Sequence, residues 1–389
     1  MRHQARTARG WALTVGVVAG LLAGLLGWPG LGEATHTIKI GIAGPMTEGD
    51  AKQGQDFEKA GRLALEERKG QVAGHKIEFL IEDDKADPKE AVAVANKLVN
   101  AGVKAVIGHY NSSSSIPASD IYNEAGIVQI TPTSSNPKLT ERGYQMLYRV
   151  ITRDDQQGVF VANYLKNVVK AKRVAIIHDK TTYGQGLAEE TKGSLEKIGI
   201  KPVFYEAITR GEKDFTPVVT KLKATNPDYT YFTGYYPEGG IFVRQFRDLG
   251  VPGVFFAGDA NQDQIFVETA GKAGEGVIMS SSPLPEQVPG AADLLKKFTA
   301  AFGPTPGPGP FVHYDYDAFK LLFLAMERAG KEIDNPKAVN AELKKIKGYK
   351  GASGTLSFNE KGDVPGREKD YIVLIIKDGK FVTHWAPKP

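Results

Sequence analysis

Segments in which apolar and polar residues alternate are followed, along most of the chain, by segments with the apolar spacing of a helix. Thr37–Ile42 and Lys76–Glu82 are predicted strands, and Gln55–Lys69 between them is a predicted helix. Tyr371–Ile376 and Phe381–Trp385 are the last predicted strands. Such alternation predicts parallel sheets covered by helices on both faces, with ligands bound beyond the carboxyl ends of the strands. Further predicted strand–helix pairs are Ala105–Ile107 with Ile116–Ala125, Arg173–Ile177 with Gly186–Ile198, Tyr229–Thr233 with Pro237–Leu249, and Val254–Ala257 with Asp263–Ala270.

Several short motifs mark where these elements begin and end. Asp87, which is followed by Pro, predicts a helix start, because Asp accepts hydrogen bonds from the first free amides and Glu90 completes a capping box. Gly303–Pro310 (GPTPGPGP) is predicted to be irregular, since Pro lacks the amide donor and Gly the stiffness of regular structure. Further breaks are predicted at the Ser/Pro-rich passage Ser280–Pro289 and at the turn cluster Gly362–Gly366.

The N-terminus has the three regions of a secretory signal peptide. Three arginines among the first ten residues precede the uncharged run Trp11–Leu26, and small residues up to Ala34 fit a cleavage site. An uncleaved anchor helix is the alternative, but the uncharged run is shorter than the ~20 residues of a comfortable membrane span. We therefore expect an exported product from which residues 1–34 have been removed.

The amino-acid composition excludes several classes of protein. A chain of 389 residues suits two lobes, and its 41% hydrophobic and 24% charged residues are typical of globular proteins. The absence of Cys excludes disulfide scaffolds, Cys-based zinc sites, thiol catalysis and iron–sulfur clusters, and also lipid attachment through an N-terminal Cys. The net charge of +4, which falls to +2 without residues 1–34, is too weak to predict a nucleic-acid partner.

Motifs for catalysis and for nucleotide binding are missing. The sequence has no GxGxxG, Walker, HExxH or GxSxG motif. His109, His178 and His313 are interpreted as hydrogen-bonded packing residues, which is the commoner role of an isolated histidine. The acidic residues at 83–84 and 315–317 are interpreted as helix caps rather than as a metal site or an acid–base pair. We therefore expect a non-enzymatic protein with no metal and no cofactor.

Two polar loops are candidate ligand sites. Gly108–Pro117 (GHYNSSSSIP) joins a short strand to a helix whose first turn is predicted to contain Pro117, and Ile130–Ser135 (ITPTSS) follows the next strand. Hydroxyls and free amides at a helix N-terminus can bind a carboxylate without an Arg. Ser/Thr runs also make helix caps and solvated turns. Two such loops after successive strands of one sheet would converge on one crevice, however, and this favours a ligand site.

Five longer passages carry a family resemblance that spans nearly the whole chain after residue 34. The sequence resembles the periplasmic branched-chain (hydrophobic) amino acid binding proteins of ABC importers. None of the passages is a short motif, and it is their order and length that make the match specific. The passages are DPKEAVAVANKLVNAGVKAVIGH at 87–109, SSSSIPASDIYNEAGIVQITPTSSNPKLTERGYQ at 112–145, HDKTTYGQGLAEE at 178–190, ITRGEKDFTPVVTKLK at 208–223 and FTGYYPEGGIFVRQFRDLG at 232–250.

The resemblance implies an α/β, type I periplasmic-binding-protein fold, in which two doubly wound parallel-sheet lobes are joined by three hinge crossings. The crossings would fall near Arg153–Asp154, Ser282–Pro283 and Gly362–Val364, at or beside the predicted breaks. The implied division is a signal peptide at 1–34, an N-terminal lobe of 35–153 plus 283–363, and a C-terminal lobe of 154–282 plus 364–389.

The same resemblance implies a site for a zwitterionic amino acid. Ser112 and Ser135 would hold the α-carboxylate, helped by backbone N–H groups of their loops. The backbone carbonyl of Thr133 would accept from the α-ammonium, Tyr183 would close over the same end, and Asp259 would be the counter-charge to the ammonium. A zwitterion that leaves water needs such charge-assisted partners at both ends. Possible walls of the side-chain pocket are Gln53, Tyr235 and Phe311.

Three positions depart from the family pattern. Asp259 stands where the family commonly has Glu, so the ammonium contact is one methylene shorter and is expected to shift or to use water. Gln53 stands where an aromatic residue is frequent, which broadens the expected ligand from Leu, Ile or Val to a larger or more polar side chain. Members can also carry a disulfide between the loops occupied here by Ala86 and Asn111. Without Cys, the Asn111 loop must be held by hydrogen bonds and packing.

The expected function is capture of a branched-chain or other hydrophobic amino acid by hinge closure and its delivery to the membrane permease of an ABC importer. We expect a periplasmic, monomeric protein that is not lipid-anchored, with a small-molecule amino acid as ligand, permease subunits as partners and no nucleic acid. Two alternatives stay open. One is the same fold with another small ligand, such as an amide or an aromatic acid, and the other is a secreted serine hydrolase that acts through Ser112 or Ser113.

Overall fold

The computed structural model describes residues 36–305 and 307–387. The predicted signal peptide at 1–34 and its cleavage site near Ala34 therefore lie outside the described residues, as does Pro306 within the predicted irregular passage. Within the described ranges, no helix is both long enough and apolar enough to cross a membrane.

The strands in the described part of the chain form two large sheets and a two-stranded ribbon. Numbered along the chain, they are β1 (Thr37–Gly44), β2 (Gln71–Val72), β3 (His75–Asp83), β4 (Ala105–Gly108), β5 (Val128–Thr131), β6 (Leu147–Arg149), β7 (Val174–His178), β8 (Phe204–Ala207), β9 (Tyr229–Thr233), β10 (Val254–Ala257), β11 (Ile278–Ser281), β12 (Tyr349–Gly351), β13 (Gly354–Leu356), β14 (Ile372–Lys377) and β15 (Lys380–Trp385).

In each of the two large sheets, the order of the strands reverses at one point, and ligands commonly bind beside such a point. The first sheet runs β2-β3-β1-β4-β5-β6 and the second runs β15-β14-β11-β10-β9-β7-β8. Pairs are parallel except at the edges, where β2, β14 and β15 run antiparallel to their neighbours. The chain order reverses between β1 and β4 in the first sheet and between β7 and β9 in the second. The crevice beyond the strand ends at such a reversal is the usual ligand site of an open α/β sheet.

Helices cover both faces of the first sheet. Ile40 of β1 belongs to an apolar cluster with Phe57 and Phe319. Val106 of β4 is in register with Gly41 rather than with Ile40, and it packs on the opposite face against Leu98. The helices, numbered in the same way, are α1 (Ala51–Glu66), α2 (Pro88–Asn100), α3 (Ser112–Glu124), α4 (Asp154–Asn163), α5 (Thr182–Lys197), α6 (Thr216–Ala224), α7 (Tyr236–Asp248), α8 (Gln264–Ala270), α9 (Ala292–Phe302), α10 (Val312–Ala329) and α11 (Pro336–Lys344).

The chain passes between the two sheets more than once. It leaves the first sheet after β6, and it leaves the second sheet after β11 to form α10 before it returns at β14. The α10 helix packs on the first sheet, since the rings of Phe79 in β3 and Phe319 in α10 lie 5.5 Å apart. The division into lobes at 153, 283 and 363 stays a prediction.

The predicted strands and helices named above are confirmed, with ends that move by no more than four residues. The predicted place of Pro117 in the first turn of its helix is wrong. The α3 helix already begins at Ser112, because the amides of Ser114 and Ser115 donate to the carbonyl of Asn111 at 3.0 and 2.9 Å. Pro117 therefore lies inside the helix, where its missing N–H removes one backbone hydrogen bond.

The predicted capping box at Asp87 is only half correct. The side chain of Asp87 accepts from the amides of Lys89 and Glu90 at 2.7 and 3.1 Å, as an N-cap does. The amide of Asp87, however, donates to the carbonyl of Asp84 at 2.8 Å. Because that donor is already satisfied, the side chain of Glu90 does not close the box.

Candidate functional site

Loops that follow six strands of the two sheets, together with the residue before α10, line one cavity, whose free volume is about 20 Å³. Three of the loops follow β4, β5 and β6 in the first sheet, and three follow β7, β9 and β10 in the second. These strands include one beside each point of reversal, so the topology places the cavity where an open α/β sheet binds its ligand. The residues that line the cavity are Tyr110, Ser112, Thr133, Ser135, Ile151, Tyr183, Tyr235, Asp259, Ala260 and Phe311.

Seven of the eight predicted site residues meet at this cavity, and Gln53 does not. The side chain of Gln53, in α1, is buried and donates through Nε2 to Oδ2 of Asp263 at 2.9 Å. It therefore joins the first turn of α1, which packs on the first sheet, to the start of α8 in the second. The roles assigned to these side chains in ligand binding stay predictions. The seven lining residues are Ser112, Thr133, Ser135, Tyr183, Tyr235, Asp259 and Phe311.

The N-terminus of α3 is open toward the cavity at Ser112. Asn111 is the N-cap residue, but its side chain does not bond to the helix amides and instead donates to Oδ2 of Asp50 at 2.9 Å. The first amides of α3 are thus not occupied by the cap side chain. Since helix N-terminal amides and the helix dipole favour an anion, this arrangement suits a ligand carboxylate beside the Ser112 hydroxyl, which itself accepts from the amide of Asn136 at 3.3 Å.

A buried network of hydroxyls fixes the β5 loop against the β4 loop. The hydroxyl of Ser134 lies 3.1 and 3.0 Å from the carbonyl oxygens of His109 and Tyr110. The hydroxyl of Thr131 donates to the same His109 carbonyl at 2.8 Å. Part of the serine and threonine run therefore serves structure, and it holds the cavity-lining Thr133 in place.

The interpretation of His109 as a packing residue is confirmed. Its ring is fully buried, with Nδ1 at 2.6 Å from Oδ2 of Asp84 and Nε2 at 3.1 Å from the hydroxyl of Tyr122.

The interpretation of the acidic residues at 83–84 as helix caps is wrong. Asp83 and Asp84 accept from the amides of Lys85 and Ala86, both at 2.9 Å, because a tight turn follows the strand there. Among the described residues, no group of His and acidic side chains could hold a metal ion.

Two buried carboxyl groups lie close enough to influence each other: Asp259, which lines the cavity, and Asp154, which does not. Oδ1 of Asp259 accepts from the hydroxyl of Tyr183 at 2.9 Å, and burial raises the pKa of Asp259 although this hydrogen bond opposes the shift. Asp154, the first residue of α4, donates its amide to the carbonyl of Ser135 at 3.0 Å. Burial, together with the nearby charge of Asp259, raises the pKa of Asp154 well above its usual value. Two carboxyls that lack water in this way would be stabilised in their ionised form by a cation.

Aromatic rings form the remaining walls. The rings of Tyr183 and Tyr235 lie 5.1 Å apart, those of Tyr110 and Tyr235 lie 5.9 Å apart, and those of Tyr110 and Phe311 lie 6.5 Å apart. Such contacts bury large apolar surface with defined geometry. The cavity therefore combines hydroxyls at a helix N-terminus, a buried carboxyl and apolar walls, and it can bind a small molecule with an anionic, a cationic and an apolar part.

Sequence reasoning missed three of the lining residues and the buried Asp154. Tyr110 lies within the predicted loop Gly108–Pro117 and Ala260 directly follows Asp259, but the sequence assigns neither of them a role of its own. Ile151 follows the edge strand β6 and carries no chemical signal of its own. Asp154 was assigned only to a hinge crossing, since its burial depends on residues far away in the sequence.

A buried acid beside the Tyr183 loop makes stability depend on pH. Asp179 accepts from the amide and hydroxyl of Thr181 at 3.0 and 2.6 Å, and burial raises its pKa from 3.8 to about 6. Because the folded state holds this proton more tightly, the stabilisation is complete below about pH 4 and is lost as the pH rises through 6. The loss amounts to at most about 3 kcal/mol.

The variant Asp179→Asn is expected to lack the pH-dependent stabilisation that Asp179 contributes. Its free energy of unfolding should therefore vary less between pH 4 and 7 than that of the wild type. Urea unfolding at several pH values measures the difference. The matched control is Asp293→Asn, an acid whose side chain is 72% exposed. Equal pH profiles for the wild type and Asp179→Asn would contradict the assignment.

Comparison with protein-family models and with curated relatives gives consistent matches. Residues 37–380 match the family model described as periplasmic binding protein. A protein of Pseudomonas aeruginosa named amino acid binding protein is 41% identical over 360 residues, which cover 90% of this chain and 94% of that protein. The Leu/Ile/Val-binding protein homolog 1 of Brucella suis is 39% identical over 340 residues, or 86% of this chain and 90% of its own.

Solved structures give the same result for the fold. A leucine binding protein from Thermotoga maritima superposes with a TM-score of 0.83 at 29% identity, over 90% of this chain and 99% of the other. A branched-chain amino acid transporter substrate binding protein from Streptococcus pneumoniae, solved in complex with isoleucine, gives a TM-score of 0.81 at 26% identity and the same coverage.

Proposed function

The chain belongs to the periplasmic binding protein family, and we propose that it is the substrate-binding protein of an ABC importer that captures a branched-chain or other hydrophobic amino acid. The relatives at 41% and 39% identity are named as amino acid and Leu/Ile/Val-binding proteins. Its fold is the type I fold of these binding proteins, one of which is named as the substrate binding protein of a transporter, and we propose that this chain likewise binds its ligand without transforming it. The bound amino acid is delivered to a membrane permease.

The observation that carries this proposal is the chemistry of the cavity. Ser112 and Ser135 supply hydroxyls beside the N-terminus of α3, and Asp259 supplies a buried carboxyl. An amino acid has a carboxylate for the hydroxyls and an ammonium for the buried carboxyl, and its side chain remains for Tyr235 and Phe311 to enclose. Each charged end then exchanges water for a charge-assisted hydrogen bond.

Capture requires the walls of the cavity to separate. The free volume of about 20 Å³ holds little more than one water molecule, and its walls come from loops of both sheets. Hinge motion at the predicted crossings near 153, 283 and 363 would open the cavity, and contacts of the ligand with both walls would favour closure. A ligand that contacts only one wall should bind without closing the protein.

Export to the periplasm is part of the same proposal. The basic, apolar and small-residue regions at 1–34 have the order of a signal peptide, and cleavage near Ala34 would release the rest of the chain. Without Cys, that product is not lipid-anchored. We propose that it acts as a monomer that meets its permease after closure.

The hydrolase alternative is less well supported than binding. A serine nucleophile needs a base within hydrogen-bonding reach, and both ring nitrogens of His109, the nearest histidine in the sequence to Ser112, already contact Asp84 and Tyr122. Hydrolysis of a generic ester that disappears in Ser112→Ala would favour the hydrolase. An amide or aromatic acid as ligand remains the alternative within the binding class.

A thermal-shift screen tests the proposed ligand class. Protein that has been unfolded and refolded, to remove any bound ligand, is mixed with each of the twenty amino acids and with a panel of amides and aromatic acids. A ligand that binds the folded state raises its apparent stability by mass action. We expect Leu, Ile and Val among the largest shifts, and calorimetry should give matching affinities. If a compound other than an amino acid gave the largest shift, the proposed ligand class would be wrong. If no amino acid gave any shift, the proposal itself would be contradicted.

A further inference from the structure

A buried ion pair joins the two sheets beside the cavity. Asp50 is the N-cap residue of α1, in the loop after β1 of the first sheet, and Arg210 lies in the loop after β8 of the second. Nη2 of Arg210 donates to Oδ2 of Asp50. The Asp50 side chain is fully buried and that of Arg210 is 24% exposed, so the pair is largely shielded from solvent.

The same Asp50 oxygen also holds the binding loop of the first sheet. Oδ2 accepts from Nδ2 of Asn111 at 2.9 Å, and Asn111 immediately precedes Ser112. This contact draws the Asn111 side chain away from the amides of α3. Asp50 therefore controls the position of the loop that supplies the anion-binding end of the cavity.

Arg210 in turn supports the aromatic wall. Its guanidinium carbon lies 4.6 Å from the centroid of the Tyr235 ring, a cation–π geometry. Tyr235 lines the cavity on the side of the second sheet. A planar guanidinium can stack on a ring and pair with a carboxylate at once, whereas an ammonium group cannot do both equally well.

We propose that Asp50 and Arg210 act as positioning residues for ligand binding: the pair is a clasp that forms when the two walls of the cavity come together, and it sets how long the closed state lasts. This rests on the proposed function, because it assumes that the protein opens and closes around an amino acid. Neither residue lines the cavity, so the clasp acts through Asn111 and Tyr235 and not through a contact with the ligand.

The other acids around the clasp lie on the Arg210 side of it, so they stabilise this cation in the open and in the closed form alike, and the difference between the two forms depends on Asp50. Glu238 of α7, which accepts from the amide of Gly211 at 2.9 Å, and Asp179 both lie near the Arg210 guanidinium, and Asp50 is its direct partner. When the walls separate, Asp50 loses its cation and Arg210 loses its direct carboxylate. Because this direct contact exists only when the walls are together and must break before they separate, the clasp should slow opening more than it speeds closing.

The test measures the rates of binding and release with L-isoleucine as the probe. In Asp50→Asn and in Arg210→Gln, we expect release to be about tenfold faster and the association rate to change less than twofold, because the contacts with the ligand are intact. The double variant should lose no more than the worse single variant, since both remove the same pair. Arg210→Lys should recover part of the effect, and Arg62→Gln, which breaks an exposed pair with Glu58 on α1, is the control.

A second measurement keeps the clasp testable if L-isoleucine is not the ligand. The chain has no Cys, so spin labels can be placed on Lys138→Cys and Glu189→Cys, two exposed positions that line one crevice between loops of the two sheets. Asp50→Asn should shift the label distances toward longer values, with the secondary structure unchanged. Label distances and release rates equal to those of the wild type would overturn the clasp. Failure of the wild type to bind any amino acid would instead contradict the proposed function, and the label distances would still decide the clasp.

Discussion

Replacement of Asp259 with alanine is expected to weaken amino acid binding by about 30-fold or more, which corresponds to about 2 kcal/mol. Asp259 is the buried carboxyl that would face the ligand ammonium. Without it, the ammonium enters the cavity with hydroxyl and carbonyl partners but with no counter-charge at that position. Calorimetry with the best ligand of the thermal-shift screen measures the change. An unchanged affinity would reject the assignment of Asp259.

Two matched variants separate charge from shape at this position. Asp259→Asn keeps the size of the side chain and removes its charge, so it should lose most of the affinity that Asp259→Ala loses. Asp259→Glu restores the side-chain length that the family commonly has at this position. It should bind Leu, Ile and Val with an affinity at least comparable to that of the wild type. If Asn were as good as Asp, the ammonium would not depend on a negative charge here.

The same assignment fixes how affinity depends on pH. Burial raises the pKa of Asp259 in the free protein, and the titratable groups close to it include Asp154, Tyr183, Tyr231 and Tyr371. A bound ammonium favours the ionised carboxylate, so binding releases a proton at any pH below that raised pKa. Affinity should therefore fall as the pH is lowered through the pKa of Asp259, and Asp259→Asn should show a flatter profile.

Most of the fold could be predicted from the sequence, because the spacing of apolar residues and the turn-forming residues at the ends of elements are local properties. The strands β9 (Tyr229–Thr233) and β10 (Val254–Ala257) have the bounds that alternation and flanking Gly residues predict. The α10 helix at 312–329 gave no such prediction, since thirteen of its residues are buried and its apolar face merges into an almost continuous run. Helices that are apolar on several faces lose the periodic signal.

The candidate site could be predicted from the sequence where one loop carries several polar residues together, as at Ser112 and Ser135. It was not accessible where a role depends on a partner far away in the chain. Gln53 was expected at the side-chain pocket, yet it bonds to Asp263, 210 residues away. Asp50 and Arg210 are separated by 160 residues, and neither stands in a recognisable motif. Packing decides such pairs, and a single sequence does not show it.

The last expected result concerns the buried arginine that holds the predicted crossings together. Arg149 is fully buried, and its Nε and Nη2 donate to Oδ1 of Asp363 at 2.9 and 2.6 Å. Oδ2 of Asp363 accepts from Nη1 of Arg153 at 2.8 Å, so one carboxylate serves two guanidinium groups. Arg149 also donates to the carbonyls of Ser134 and Asn136 in the β5 loop, at 3.2 and 2.8 Å.

We expect Asp363→Ala to lower the free energy of unfolding by about 3–5 kcal/mol, because it leaves a buried guanidinium without its carboxylate. Urea unfolding at pH 7 measures the loss. The control is Glu141→Gln, since Glu141 pairs with Arg153 at 2.8 Å but its side chain is 41% exposed. That change should cost at most about 1 kcal/mol, because water already screens the pair.

Removal of both buried partners distinguishes a missing counter-charge from a missing contact. In Arg149→Met combined with Asp363→Leu, no buried charge is left unpaired in this pair, so the double variant should be more stable than Asp363→Ala alone. It should still bind ligand less well than the wild type, because the carbonyls of Ser134 and Asn136 lose the donor that holds the loop. A double variant less stable than Asp363→Ala would show that the contacts, and not the unpaired charge of Arg149, account for the loss.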